Sequence, residues 1–357
     1  MPGQGSVYSS HDRCEAVLGV SIGKARAEEF RQTLAAMNLV DKSRLIEEGA
    51  KNITIPLIST PSKSLMDEFG ASLVDMDFAV RKFFVDPIDE IRRVSEIPQH
   101  LKPALPAKWE RYGDIIILKL EPELDRYEIE IARAYASVLH LKTVLREMGP
   151  IRGPYRSPSV RTLLGSDTVA THIENHVIYE FDASELMFSS GNQEERLRMA
   201  GLACDGEVIV DMFAGIGYFS LPIAVYQKPN RIIACEINPR AYSFLKKNIV
   251  ANKVERVVDP VLGDNRDLPG RDFADRVIMG YVKTTHEFLP AAVRMLRHGG
   301  IIHYHETCPN SLLDNRPLER VKDAAGGSVE LLRSKAIKSY APGVTHVVLD
   351  VRVFKSS

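Results

Sequence analysis

Short apolar runs that end in a carboxylate recur along the C-terminal half of the chain. Val208-Ile-Val-Asp211 is followed by the small turn Met212-Phe213-Ala-Gly215-Ile-Gly217 and by the amphipathic start of a helix. Residues 231–236 and 257–264 repeat the run and end in Glu236 and Asp264, with a helix expected over 239–252 between them. Unbroken apolar runs predict strands buried on both faces, as in a parallel sheet, and the intervening helical periodicity predicts the covering layers. Runs at 275–280, 300–305, 328–335 and 346–354 extend the sheet, the last two as an antiparallel hairpin through Ala341-Pro-Gly343. The expectation is an α/β domain over residues 191–357 with a seven-stranded mixed sheet.

The N-terminal part follows other patterns. Strand, helix, helix, strand are expected at 16–20, 25–37, 43–49 and 52–58, a small accessory domain over residues 1–60 with Val17, Phe30, Leu34, Leu39, Leu45, Ile46 and Ile55 as its apolar set. Residues 61–100, punctuated by Pro61, Pro87 and Pro98, read as a linker with short helices. An α+β domain then covers 101–190: a strand at 112–120, a long amphipathic helix at 123–140, a strand from Thr143, a proline- and glycine-rich loop at 149–158, and a strand pair at 170–174 and 176–182. Arg133, Lys142, Arg146, Arg152, Arg156 and Arg161 fall in this domain with few acids beside them in sequence, and Tyr155 sits among them. Spread cations with an interleaved aromatic suit a phosphate backbone and an unstacked base. The same pattern also describes a solvated basic face; a neighbouring cofactor domain favours RNA.

Composition narrows the class. A net charge of −1 and a pI near 6.8 exclude a global attractive field for nucleic acid, so binding must come from a local patch. The four cysteines, Cys14, Cys204, Cys235 and Cys308, stand apart without zinc-ligand spacing, which predicts a reduced, cytoplasmic setting and no metal. No apolar segment reaches membrane-spanning length.

The chemistry concentrates at the carboxyl ends of the predicted parallel strands, where ligands of open α/β sheets bind. Gly215 and Gly217 allow a sharp turn and close backbone approach, and Phe213 lies in the same turn. A nicotinamide fingerprint would need a third glycine, where Ser220 and Leu221 stand instead. Glu236 lies about 20 residues beyond the loop, the separation at which a carboxylate grips a ribose diol. Asp264, with Asn265 beside it, is placed to accept an adenine amino hydrogen. Any one of Asp211, Glu236 and Asp264 serves equally well as a cap; three in register point to a nucleoside ligand.

These features, with Gly153-Pro-Tyr-Arg156 and Asp211-Met-Phe-Ala-Gly215, resemble the tRNA guanine-37 N1-methyltransferases and the related wybutosine-pathway aminocarboxypropyltransferases over nearly the whole chain. The resemblance implies a class I methyltransferase-like, Rossmann-type fold binding S-adenosylmethionine, a tRNA substrate modified beside the anticodon at position 37, and a monomer. Two departures separate the branches. Methyltransferases carry Asn-Leu-Pro where this chain has Gly280-Tyr281-Val282, and an arginine where it has Gly191, in Met187-Phe-Ser-Ser-Gly-Asn192 before Glu195-Arg196. Without a side-chain amide at Gly280 the apparatus that orients a guanine N1 is incomplete. Both departures, with residues 280–288 and 302–307, match the aminocarboxypropyltransferases, which transfer the 3-amino-3-carboxypropyl arm to C7 of 4-demethylwyosine in tRNA(Phe). The resemblance places Ser189 and Arg196 at the methionine moiety, Glu236 at the ribose, Asp264 and Asn265 at the adenine, Glu195 as general base and Arg156 beside the reacting base. Arg196 would grip the α-carboxylate with its two-pronged guanidinium. The competing readings are a guanine-37 N1-methyltransferase and a non-catalytic tRNA-binding protein that keeps S-adenosylmethionine as a structural ligand.

Overall fold

A computed structural model describes residues 16–81, 86–153, 157–282 and 284–355. Its contacts divide the chain into two compact units, Met1–Asp86 and Pro87–Ser357.

The first unit is a four-stranded antiparallel sheet packed on helices. Its elements are β1 (Val17–Gly23), α1 (Ala27–Ala36), β2 (Glu47–Glu48), β3 (Asn52–Pro56), α2 (Lys63–Phe69) and β4 (Ser72–Met76), in sheet order β2-β3-β1-β4. Alternation along β1 turns Val20 and Ile22 inward against Phe30 and Leu34 of α1. Two expectations change here. Residues 43–49 form no helix: the Asp41 carboxylate accepts from the Ser43 backbone N–H (2.9 Å) and hydroxyl, a local turn that competes with helix formation. Leu45, expected in the core, is consequently 42% exposed. Residues 63–76 are not linker either, because β4 pairs with β1 over Ser72 to Met76 and Phe69 of α2 enters the core.

The second unit starts with α3 (Pro87–Val94), then β5 (Glu110–Tyr112), β6 (Ile115–Leu118), α4 (Glu128–Leu139), β7 (Thr143–Arg152) and β8 (Ser157–Leu164), which form the sheet β5-β6-β7-β8. The single strand expected at 112–120 is instead a hairpin, because Gly113 (φ +58°) reverses the chain. The helix expected from 123 begins as a 3-10 turn at Pro122–Tyr127 and ends at His140 in the left-handed conformation. A two-stranded hairpin, β9 (Val169–Glu174) and β10 (Val177–Asp182), leads through α5 (Gln193–Ala200) into the large sheet.

That sheet contains β11 (Val208–Asp211), α6 (Ser220–Tyr226), β12 (Arg231–Glu236), α7 (Pro239–Ala251), β13 (Val258–Leu262), β14 (Ala274–Met279), α8 (Leu289–Met295), β15 (Leu296–Pro309), α9 (Arg316–Ala325), β16 (Ser328–Ala341) and β17 (Val344–Phe354). It is the expected seven-stranded mixed sheet, in order β13-β12-β11-β14-β15-β17-β16, parallel except for the antiparallel pairings of β17. The edge strand β16 is largely exposed and carries Glu330, Arg333, Lys335 and Lys338, whereas strand β11 is apolar up to its terminal Asp211, as expected of a strand covered on both faces. Helix α7 shows how sequence sets this: Asn238 caps it by accepting from the Arg240 N–H, Pro239 occupies its first turn, and Ala241, Phe244, Leu245 and Ile249 make its buried stripe. On the same helix Asn248 and Asn252 hydrogen-bond the backbone of β10 at Ile178 and Glu180, fixing the β9–β10 hairpin beside the cofactor loop. Among the described residues, no helix is long and apolar enough to cross a membrane and no group of three or more His, Cys, Asp or Glu is placed to hold a metal.

Candidate functional site

The carboxyl ends of β11, β12, β13 and β14 open onto a cavity of about 400 Å³. Gly215 (φ +59°) makes its floor, and a Cβ there would lie 2.5 Å from the Tyr218 ring. Glu236 closes the turn: one carboxylate oxygen accepts from the Gly215 N–H (2.7 Å) and the other from the Asn238 N–H (2.7 Å). Burial pushes its carboxyl upward, against those hydrogen bonds, so the acid is held desolvated at the cavity wall. Phe213 stacks on Tyr281 (centroids 5.2 Å apart, 20° between planes), giving a flat aromatic wall. Asn265 donates through Nδ2 to the Met212 carbonyl (2.6 Å), while its buried Oδ1 finds no hydrogen-bond partner among the described residues. A buried acceptor without a donor beside an aromatic face and a carboxylate fits an adenosine: amino group, purine plane and ribose.

Of the residues picked from sequence, Ser189, Arg196, Phe213, Gly215, Glu236, Asp264 and Asn265 line this cavity. Asp264 is held by Arg266, which hydrogen-bonds it and keeps its carboxyl below the usual range. Asp211 does not reach the ligand space. It is fully buried, accepts from the Ser220 hydroxyl (2.7 Å) and the Phe213 N–H (3.2 Å), and desolvation pushes it up to about 6. It staples the loop that the cavity needs. Gly217 likewise packs against Leu221 and Leu245.

Arg196 lines the cavity with its guanidinium already engaged by the protein. Its guanidinium is 1% exposed, forks onto both oxygens of Glu174 (2.7 Å each), donates to the Ser189 carbonyl (2.8 Å) and lies over the Phe188 ring. The paired fork is thus spent on Glu174, and Arg196 holds the Ser189 segment against the cavity from behind. Glu195 is also turned away. It binds Arg198, which bridges to Asp350 (2.7 Å), and Asp350 meets His303 (2.6 Å). Burial alone would raise Asp350, but His303 and Arg198 outweigh it and hold its carboxyl at about 2. Neither Glu195 nor Asp211 lines the cavity.

Gly280 decides the shape of the remaining wall. A Cβ there would stand 2.6 Å from the Phe219 ring, which occupies the space a side chain would need. Phe219 in turn packs 5.4 Å from His305, and His305 Nδ1 lies 3.1 Å from His346 Nε2. His346, Lys338 and Tyr340 complete the wall from β16 and β17, where Lys338 and His346 are register partners. Sequence reading missed all three, since nothing in an antiparallel hairpin announces which face meets a ligand. Lys338 Nζ would be 3.0 Å from a Cβ on Gly191. Ser189, Met187, Lys338 and Tyr340 also line a second cavity of about 680 Å³ that reaches Trp109 and Glu147, so the two form one continuous cleft within the second unit.

The basic residues are less uniform than their sequence spacing suggested. Arg146 pairs with Asp125 and Glu128 (2.7 Å to the latter), Arg161 pairs with Glu128, and Lys142 pairs with Asp167 (3.0 Å) and Asp114 (3.4 Å). The acids are remote in sequence and close in space. Arg133 is exposed and makes no ion pair among the described residues. Tyr155, Arg156 and the side chain of Arg152 lie outside the described residues.

Comparison with known proteins matches this arrangement to three family models: the TRM5/TYW2 methyltransferase domain over residues 170–332, the TYW2 N-terminal domain over 91–168 and the tRNA methyltransferase 5 N-terminal domain over 19–65. A tRNA(Phe) (4-demethylwyosine(37)-C(7)) aminocarboxypropyltransferase of Pyrococcus horikoshii is 50% identical over 264 residues, covering 73% of this chain and 94% of that one. The chain belongs to the TRM5/TYW2 family of tRNA-modifying enzymes. Both branches are represented: the tRNA (guanine(37)-N(1))-methyltransferase Trm5b of Pyrococcus abyssi is 33% identical over 94% of this chain and 99% of its own. The crystal structure of P. horikoshii TYW2 in complex with MeSAdo superposes with a TM-score of 0.69 at 47% identity, covering 75% of this chain and all of that one. The TRM5/TYW2 match runs from β9 through the start of β16 and takes in the cavity lining except Lys338, Tyr340 and His346.

Proposed function

We propose that the protein transfers the 3-amino-3-carboxypropyl group of S-adenosylmethionine to C7 of 4-demethylwyosine at position 37 of tRNA(Phe), releasing methylthioadenosine. The observation that carries this reading is the packing of Gly280 against Phe219: the position from which an asparagine amide would address a guanine N1 has no room for a side chain. The identity with the P. horikoshii aminocarboxypropyltransferase supports it. S-adenosylmethionine supplies a sulfonium whose three attached carbons are all open to attack. Which one reacts depends on which carbon is held in line with the nucleophile.

The chain's own residues divide the work. Glu236 would hold the ribose, Asp264 and Asn265 the adenine, and Phe213 with Tyr281 the purine face. Ser189 and Asn192, on the segment fixed by Arg196, line the methionine side. The second cavity, which runs from Trp109 to Tyr340, would take the modified base. We place tRNA contacts on residues 101–190, with Arg133, Lys142, Arg146, Arg152, Tyr155, Arg156 and Arg161 as candidates, and expect a cytoplasmic monomer. The similarity to Trm5b over 94% of the chain favours a second reading, guanine-37 N1-methylation.

One incubation separates them. Purified protein is given S-adenosylmethionine labelled on the methyl and, separately, on the carboxyl carbon, with tRNA bearing guanosine or 4-demethylwyosine at position 37. Carboxyl label on the tricyclic base with release of methylthioadenosine is the expected result. Methyl label on guanosine would replace the proposal with the second reading, and binding without transfer would leave a non-catalytic protein.

A further inference from the structure

C7 of the acceptor carries a hydrogen that must leave after the new carbon–carbon bond forms, so the transfer proposed above needs a base. Glu195, the carboxylate that sequence reasoning put forward, is buried behind the cavity and engaged by Arg198. The imidazole among the residues lining the cavity is that of His346, the register partner of Lys338. It is 2% exposed, sits on β17, and meets His305 of β15 at 3.1 Å between His346 Nε2 and His305 Nδ1.

We infer that His346 takes the C7 proton, and that His305 and Glu195 are positioning residues that fix its tautomer. The two imidazoles share one proton across the 3.1 Å contact, so one nitrogen donates and the other accepts. The far nitrogen of His305, Nε2, is buried, has no hydrogen-bond partner among the described residues, and faces the Glu195 carboxylate at 4.0 Å. That negative charge favours a proton on Nε2. Burial, reinforced by His346, His303 and Arg198, depresses the protonation of His305 well below the usual histidine range, so it carries one proton only. With Nε2 protonated, His305 Nδ1 is the acceptor and His346 Nε2–H the donor. The basic lone pair of His346 is thereby placed on Nδ1.

The step balances without further reactants. The C7 electrons attack the γ-carbon of the aminocarboxypropyl arm as its bond to sulfur breaks, and the sulfur keeps that electron pair in methylthioadenosine. The C7 hydrogen passes as a proton to His346, which restores the aromatic ring. Gly280 belongs to the same construction: its missing side chain lets Phe219 lie beside His305. Among the described residues, the titratable and charged neighbours that set the rate's pH dependence are His305 from β15, Lys338 and Arg333 from β16, Glu195 and Arg198 from α5, and Asp350 beyond His303.

The test is single-turnover transfer of carboxyl label by the full chain, for wild type, His346→Ala, His346→Gln and His305→Gln, across pH, with binding of S-adenosylmethionine and tRNA measured separately. Loss of a general base lowers the rate about 10²–10⁴-fold. The expected result is that loss in both His346 variants, affinities within about threefold of wild type, and disappearance of the limb that rises with pH. His305→Gln moves that limb without abolishing it. Melting and methylthioadenosine binding establish folding; if His346→Ala does not fold, His346→Gln, which keeps a donor toward His305, decides. Independently of turnover, nitrogen NMR of the free protein is expected to show His305 neutral and protonated on Nε2, shifting in Glu195→Gln. A His346→Gln rate near wild type, a rate loss matched by an equal loss of cofactor affinity, or a proton on His305 Nδ1 overturns the inference. Wild-type protein that transfers no label overturns the proposed function with it, whereas transfer by wild type and His346→Gln alike overturns only the histidine.

Discussion

Replacing Arg196 by alanine tests whether this residue grips the ligand's carboxylate or builds the wall behind it. The guanidinium makes two 2.7 Å bonds to Glu174 and one of 2.8 Å to the Ser189 carbonyl, with side chains 2% and 7% exposed. Removing one member of so buried a pair strands the other as an uncompensated charge, at a cost of about 3–5 kcal/mol. For a unit of this size, each kcal/mol lowers the melting temperature by about 2–4 °C, so a fall of at least about 6 °C is expected. The double variant Arg196→Met/Glu174→Leu, which removes both charges, should recover most of the stability while the Ser189 segment loses its tether. Denaturant unfolding of the single and double variants closes the cycle. Calorimetry then compares S-adenosylmethionine with methylthioadenosine, which lacks the carboxylate; loosening of the wall weakens both by similar factors. Arg196→Ala melting within about 1 °C of wild type, with S-adenosylmethionine alone weakened, would refute the structural role and restore the carboxylate contact.

Gly280→Ala adds one methyl where the Phe219 ring lies 2.6 Å away, so overpacking should cost about 1–3 kcal/mol, read as a lower melting temperature; an unchanged one would mean Phe219 moves freely. Glu236→Gln should weaken S-adenosylmethionine and methylthioadenosine alike, by about 10-fold or more, since it disturbs an acceptor pair at the shared adenosine; calorimetry showing unchanged binding would remove Glu236 from the ribose site. Asp211, raised to about 6 by burial, contributes most to stability below its unfolded value of 3.8 and loses that contribution as pH rises through 6. Wild type should therefore lose about 2.4 kcal/mol relative to Asp211→Asn between pH 4 and 7.5, and a pH-independent difference in urea unfolding would contradict this. Arg133→Ala should weaken tRNA binding and reduce the log–log salt slope by about 1, while Arg146→Ala should act chiefly on stability through Asp125 and Glu128; equal salt effects from both would argue against this division.

The sequence by itself determined the large sheet and several of the residues that line the cavity at its carboxyl end. Strands β11 and β12 are apolar between their ends because both faces are covered, and such runs are legible without a partner. Glu236 follows from the same logic, since a strand's last residue is placed by the strand's own length, and Asp264 and Asn265 sit in the turn just beyond β13. Gly215 was legible because a reversal at φ +59° leaves few alternatives. Where local bonding competes with periodicity, as in the Asp41–Ser43 turn, the reading by period failed. The roles of the ionisable side chains were decided only by tertiary structure. Glu195, Arg196, Arg146 and Asp211 look like free functional groups in one dimension, and each is bound by a residue that folding brings near: Arg198 for the first, then Glu174, Glu128 and Ser220. His346 and Lys338 entered the site for the same reason, because pairing register across β16 and β17, not sequence distance, sets which side chains share a wall. A strand's burial is written in its own residues, whereas a charge takes its meaning from its nearest counter-charge, and that neighbour is chosen by the fold.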